Sequence, residues 1–362
     1  MISILLSYSS LGWAASSDNG FSFSGYIEPS YNYLTRSNHF TSGIHDRVFD
    51  LETKGFTLQQ AAITLAKQPT QGFGALLNLI LGRDANTLSP AGINPDYFGL
   101  QNVGLTATQA YLQYAVGAFK ILGGKYNCSM GEENYNPTTD SNFSRSILDG
   151  YAEPSTFIGI EGKYTVNDKL SLSADVNNGW DTIQYTGRQK TVEVSAAYTP
   201  NSKASLSITG ITGVQPITDG ASSGPTGRRN ALDLIGAVNA TDKLSLSVNY
   251  DYGMQSKAAL PTGQAGKAFW QGLAGYVNYQ WTDKWQSSLR GEVFSDRKGY
   301  RTGVQQTWKE VTFTLAYSLL KKLQLRAETR HDFSNVKAFV TLNGVSANTN
   351  QQSFALEGLY QF

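Results

Sequence analysis

Gln352-Ser353-Phe354-Ala355-Leu356-Glu357-Gly358-Leu359-Tyr360-Gln361-Phe362 alternates residue by residue. Phe354, Leu356, Gly358, Tyr360 and Phe362 fall on one face, and Ala355, Glu357, Leu359 and Gln361 on the other. Successive side chains of an extended strand point to opposite sides, so this pattern describes a strand whose two faces meet different surroundings.

The same period runs back through the chain. Leu244, Leu246, Val248, Tyr250 and Tyr252 oppose Ser245, Ser247, Asn249 and Asp251. Leu170, Leu172, Ala174 and Val176 oppose Ser171, Ser173, Asp175 and Asn177. Val192, Val194, Ala196 and Tyr198 oppose Thr191, Glu193, Ser195 and Ala197, and Leu323, Leu325 and Ala327 oppose Gln324, Arg326 and Glu328. Short polar turns separate these runs at Asn167-Asp168-Lys169, Asn201-Ser202-Lys203, Thr241-Asp242-Lys243, Thr282-Asp283-Lys284 and Lys321-Lys322. Such turns signal tight hairpins. Between them lie longer stretches rich in Gly, Pro, Ser and Asn, such as Gln215–Arg229 and Ser256–Lys267.

The pattern predicts strands over 20–35, 55–67, 72–85, 105–116, 117–126, 155–166, 169–179, 189–199, 203–213, 230–239, 243–254, 268–281, 284–295, 306–318, 322–333 and 351–362. Short turns at one rim and long loops at the other describe an all-β fold: a transmembrane, antiparallel, up-and-down β-barrel of about 16 strands. The turns belong at the periplasmic rim and the loops outside. A barrel of this size encloses an aqueous lumen rather than a packed core.

Composition agrees. Charged residues are 16% of the 362, aromatics 12%, and 36 residues are Gly. No apolar run approaches the roughly 18 residues of a membrane helix. The net charge of +1 gives no basic stripe for nucleic acid. Cys128 is the sole cysteine, which excludes an intramolecular disulfide and a cysteine-built metal site. Residues 1–15, ending Trp13-Ala14-Ala15, look like the apolar core and cleavage site of an incomplete signal peptide that lacks its positive start. The expected domain is then a single barrel over 16–362. Trp281 and Trp285 flank a short turn, while Trp180, Trp270 and Trp308 sit towards loop ends. Two interfacial girdles are the expectation, against ordinary core aromatics of a soluble β-sandwich.

The third long segment, 127–151, carries Glu132, Glu133, Asp140, Arg145 and Asp149. Folded into the lumen, it would set these charges against the wall and create a transverse field that selects small polar solutes. As an external cap, its charges would simply be solvated. Candidate wall cations are Arg83, Lys125, Lys163, Arg290, Arg326 and Arg330, and candidate wall anions are Glu161, Asp175, Glu292 and Glu328. Each could instead form a neutralised lumen pair.

Several strings resemble the OmpL-like family of outer-membrane β-barrel porins. They are Gly55-Phe56-Thr57-Leu58-Gln59-Gln60-Ala61, Gly82-Arg83-Asp84-Ala85, Asn142-Phe143-Ser144-Arg145-Ser146, Ala152-Glu153-Pro154 and Asn177-Asn178-Gly179-Trp180-Asp181. Their shared order between Gly55 and Asp181 carries the resemblance, and the later hairpins fit as generic barrel strands. The resemblance implies an outer-membrane channel and no catalytic residues. Gly358, Tyr360 and Phe362 are also similar to the C-terminal signal read by the barrel-assembly machinery.

Enzymatic chemistry finds little support. His39, His45 and His331 are the only histidines, none beside a G-x-S-x-G nucleophile motif. The Gly-rich stretch Gly220–Gly227 lacks the Lys-Ser/Thr ending of a phosphate loop. The expectation is a Gram-negative outer-membrane porin that passes small hydrophilic solutes or ions passively, without cofactor or metal. Its partners would be outer-membrane lipids and the assembly machinery, and a homo-trimer is compatible with its size. The alternatives are an adhesion or structural barrel acting through its loops, and an outer-membrane hydrolase.

Overall fold

The structure is a computed structural model that describes residues 20–35, 44, 46–88, 104–182, 189–218, 224–340 and 346–362. Sixteen antiparallel strands close into a barrel. They are β1 (Ser22–Leu34), β2 (Gly55–Lys67), β3 (Gly72–Gly82), β4 (Gly104–Val116), β5 (Phe119–Asn127), β6 (Thr156–Thr165), β7 (Leu170–Asn177) and β8 (Thr191–Asn201). They continue with β9 (Ala204–Pro216), β10 (Thr226–Asn239), β11 (Leu244–Ala259), β12 (Ala265–Gln280), β13 (Trp285–Asp296), β14 (Gln306–Leu320) and β15 (Leu323–Ser334). A small ribbon of β16 (Phe339–Val340) and β17 (Ser346–Asn348) precedes the closing strand β18 (Asn350–Gln361). Two short helices, α1 (Arg83–Leu88) and α2 (Ile147–Tyr151), complete the elements.

All sixteen predicted strands are present, and consecutive barrel strands are neighbours. β18 pairs with β1, from Tyr26 opposite Gln361 to Leu34 opposite Ser353. Closure satisfies every strand edge, the condition for backbone to cross a bilayer. At the seam, Gly25 and Phe362 exchange backbone hydrogen bonds of 3.1 and 3.0 Å. A Cβ on Gly25 would lie 2.4 Å from the Phe362 ring.

The alternation sorts into two environments. Outward positions such as Leu172, Val194, Ile208, Leu289, Phe354 and Leu356 are exposed, as side chains facing lipid must be. Inward positions such as Glu28, Asn249, Arg290 and Glu357 are buried. The short turns are held by their own side chains. Asn167 Oδ1 accepts from the amides of Lys169 and Leu170, and the Thr241 and Thr282 hydroxyls accept from the equivalent amides of their turns. A side-chain oxygen two positions before the lysine thus closes each of these hairpins.

Three expectations need correction. Residues 256–267 are mostly strand, because β11 and β12 run on as 16-residue strands to a turn at 260–264. The predicted strand 72–85 stops at Gly82, whose φ of +139° ends the extended run. Arg83 therefore opens α1 rather than lining the wall, and its Nε lies 2.8 Å from Glu52. Trp281 and Trp285 are exposed at the short-turn rim beside Tyr279 and Tyr317, as a girdle requires. Trp180, Trp270 and Trp308, however, are buried. Trp270 and Trp308 share parity with inward Ala268 and Glu310, so they point into the barrel and pack among loops instead of lipid.

Candidate functional site

The segment between β5 and β6, residues 128–155, enters the barrel and bonds to inward side chains on several sides. The wall offers carboxylates to the segment's amides. Glu328 accepts from Phe143 N at 2.7 Å and Ser144 N at 3.1 Å, and Glu292 accepts from Ile147 N at 2.6 Å and Leu148 N at 3.3 Å. Ile147 and Leu148 open α2, where free amides favour a negative charge. The Ser146 hydroxyl caps the same turn by accepting from Asp149 N.

The wall also offers arginines to the segment's carbonyls. Arg290 donates to Ser144 O at 2.6 Å, Arg330 to Arg145 O at 2.6 Å, and Arg326 to Asp140 O at 2.9 Å. Arg290 binds Glu133 at 2.7 Å and Glu310 at 2.9 Å, Arg330 binds Asp332 at 2.9 Å, and Arg326 faces Glu357 at 3.3 Å. Within the segment, Arg145 Nε lies 3.1 Å from Asp140. Buried ions are tolerated only when paired and hydrogen-bonded, and this lattice meets that condition almost throughout. On this side Glu133 and Arg290 touch, so no opening remains between loop acid and wall base.

The opposite side is looser. Ser129 N donates to Glu193, Gln60 donates to Tyr135 O, and the Tyr135 hydroxyl donates to Asn127 Oδ1. Lys125 is spent on Ala107 O, and Asp175 accepts from Asn177. Lys163 pairs with Glu161 at 3.1 Å and keeps a third of its side chain accessible. A cavity of about 440 Å³ lies here, lined by Lys120, Lys163, Ser129, Ser173 and Ser195 among others. It shares Lys163 with a second of about 60 Å³, and a third of about 60 Å³ shares Asn127, Asn134 and Tyr135 with the second.

Glu132 hydrogen-bonds the Ser247 hydroxyl at 2.6 Å. Burial pushes its carboxyl up to about 7 despite that bond, with Glu133 adding repulsion. Burial likewise pushes Asp149 up to about 7, against the pull of Arg145. Sequence reasoning missed Glu310, Asp332, Glu193 and Tyr135. The first three share inward parity with residues already singled out, which was their available signal; Tyr135 is uncharged and had none.

Residues 20–362 match the family described as "Putative beta-barrel porin-2, OmpL-like". The chain belongs to that family. It is an outer-membrane β-barrel porin of the Gram-negative type. Solved structures share the fold at low identity. The outer-membrane channel DcaP of Acinetobacter baumannii superposes with a TM-score of 0.64 at 13% identity, over 94% of this chain and 97% of that one. An anion-selective porin from Comamonas acidovorans gives 0.62 at 10%, over 95% and 99%. The trimer form of OmpT from Vibrio cholerae gives 0.59 at 11%, over 95% and 99%. A comparison of this sequence with curated proteins finds no match.

Proposed function

We propose that this porin passes small hydrophilic solutes or ions by passive diffusion along the β5–β8 side of its lumen, past Tyr135. The observation that carries the reading is the series of cavities there, of mixed polar and apolar lining, set against the closed arginine–carboxylate lattice under β13–β15. Each narrow cavity holds only a few waters, taking about 30 Å³ per water, so the segment 128–155 acts as the constriction. Glu132, Glu133, Asp140, Arg145 and Asp149 then serve chiefly to hold that constriction in shape, and Lys120 and Lys163 are charges a solute meets.

The protein is read as a channel and not an enzyme. Among the described residues the one histidine, His331, stacks on Phe333 at 4.1 Å. His39 and His45 lie outside the described residues. The relative described as a trimer supports a homo-trimer for this chain, and sedimentation of the detergent-solubilised protein measures it.

Planar-bilayer recording of the purified barrel tests the channel reading. Stable, small conductance steps are expected, with Tyr135→Ala giving larger ones. Well-folded protein without steps would sink the proposal, and an unchanged step size in the variant would remove Tyr135 from the path.

A further inference from the structure

Three buried carboxylates stand outside the arginine lattice, where the end of the inner segment meets β10 and β11. Asp233 and Asp251 are directly opposite each other in the β10–β11 register, and both are inward and fully buried. Glu153, from the Ala152-Glu153-Pro154 string after α2, is 5% exposed and aims into this pair. One oxygen from each of the three falls within 4.8 Å of the other two.

Their hydrogen bonding is incomplete. Asn249 Nδ2 reaches Asp233 at 2.6 Å and Asp251 at 3.5 Å. Both oxygens of Glu153 have no partner, while Asp233 and Asp251 lie within hydrogen-bond reach of each other and Gly131 N reaches Asp233. Among the described residues no lysine or arginine forms an ion pair with any of the three. The backbone closes over the group at Gly131, where a Cβ would lie 2.3 Å from Glu153 Oε2.

Uncompensated buried charge of this kind is strongly unfavourable, so a cation or protons must neutralise it. Two oxygens that each sit about 2.4 Å from one calcium ion can be at most about 4.8 Å apart. All three pairs keep within that limit, which leaves room for one ion between them. The donor set is all oxygen, which selects a hard cation over zinc or copper. Glu153 arrives on a connecting segment, so the site can relax to the longer bonds and higher coordination of calcium, where magnesium demands a rigid octahedron. We propose that Glu153, Asp233 and Asp251 form a calcium site that pins the end of the inner segment to the barrel wall. Water completes the coordination shell.

The test uses the whole barrel, folded in detergent and stripped with chelator, titrated with calcium chloride by calorimetry at neutral pH. A second readout is terbium luminescence. Trp270, whose Nε1 donates to Ala152 O at 3.0 Å, provides the antenna. The expected result is one calcium per chain, with calcium displacing terbium at lower concentration than magnesium does. Glu153→Gln and Asp251→Asn should each weaken binding at least ~10-fold, while Asp46→Asn, in the first loop, should not. No stoichiometric uptake by the wild type overturns the proposal and leaves a shared proton as the neutralising species. Variants that bind as the wild type does overturn it too. Should a variant misfold, judged by gel mobility before and after boiling, the wild-type titration still decides. Conductance plays no part in the readout, so the channel reading stands or falls separately.

Discussion

Arg290 makes loop and wall one object. Its guanidinium donates to Glu133, Glu310, Ser144 O and Thr312, which uses the planar fork in a way an ammonium cannot. Arg290→Ala would leave Glu133, Glu292 and Glu310 buried around an empty site, and losing one partner of a buried pair costs about 3–5 kcal/mol. The expected outcome is a lower unfolding temperature together with larger, noisier conductance steps. Arg290→Lys should recover the temperature in part and the step size less. Arg290, Arg326 and Arg330 were legible in the sequence because each occupies an inward position of a regular strand. Arg83 was not, because Gly82 turns the chain at positive φ just before it. The calcium ligands were not legible as a group, since Glu153, Asp233 and Asp251 converge from three separate segments.

Among the elements, the inner segment carries two groups through which the fold responds to pH. Glu132 and Asp149 titrate near 7 in the folded barrel and near 4 when unfolded. Between these values the folded form holds protons the unfolded form has lost, so stability falls as pH rises from about 4 to about 7 and levels off above. The segment's hold is thus firmest in acid. Conductance recorded at pH 5.5 should be lower than at pH 8, and the double variant Glu132→Gln with Asp149→Asn should flatten the difference. A pH response equal to the wild type's in that variant would assign it to other groups. The hairpins at this scale were readable because Asn167, Thr241 and Thr282 close their turns locally. The turn at 260–264 was not, because Gly and Pro in an extended hairpin tip resemble a loop in composition.

Across the whole molecule, closure depends on the seam between β1 and β18. Removing Phe362 deletes the two backbone bonds to Gly25 and the ring contact with Phe23 at 6.0 Å. The expected result is a smaller folded fraction, read from heat-dependent gel mobility, with unchanged conductance in barrels that do form. Unimpaired folding of that deletion would show the seam is secured elsewhere. The closed barrel was legible because alternation runs through sixteen strands and short polar turns recur at five of the connections. The filling of the lumen was legible only as one of two readings of 127–151, because a segment's path across an interior depends on partners far away in sequence, such as Glu328 for Ser144. That filling also has an electrical side. The inner segment carries Glu132, Glu133, Asp140, Asp149 and Glu153 against Arg145 alone. A charge moved through the full membrane potential gains or loses about 2.3 kcal/mol per 100 mV. Current through a pore narrowed by so acidic a segment should therefore depend on polarity, and symmetric current–voltage curves in planar bilayers would count against this.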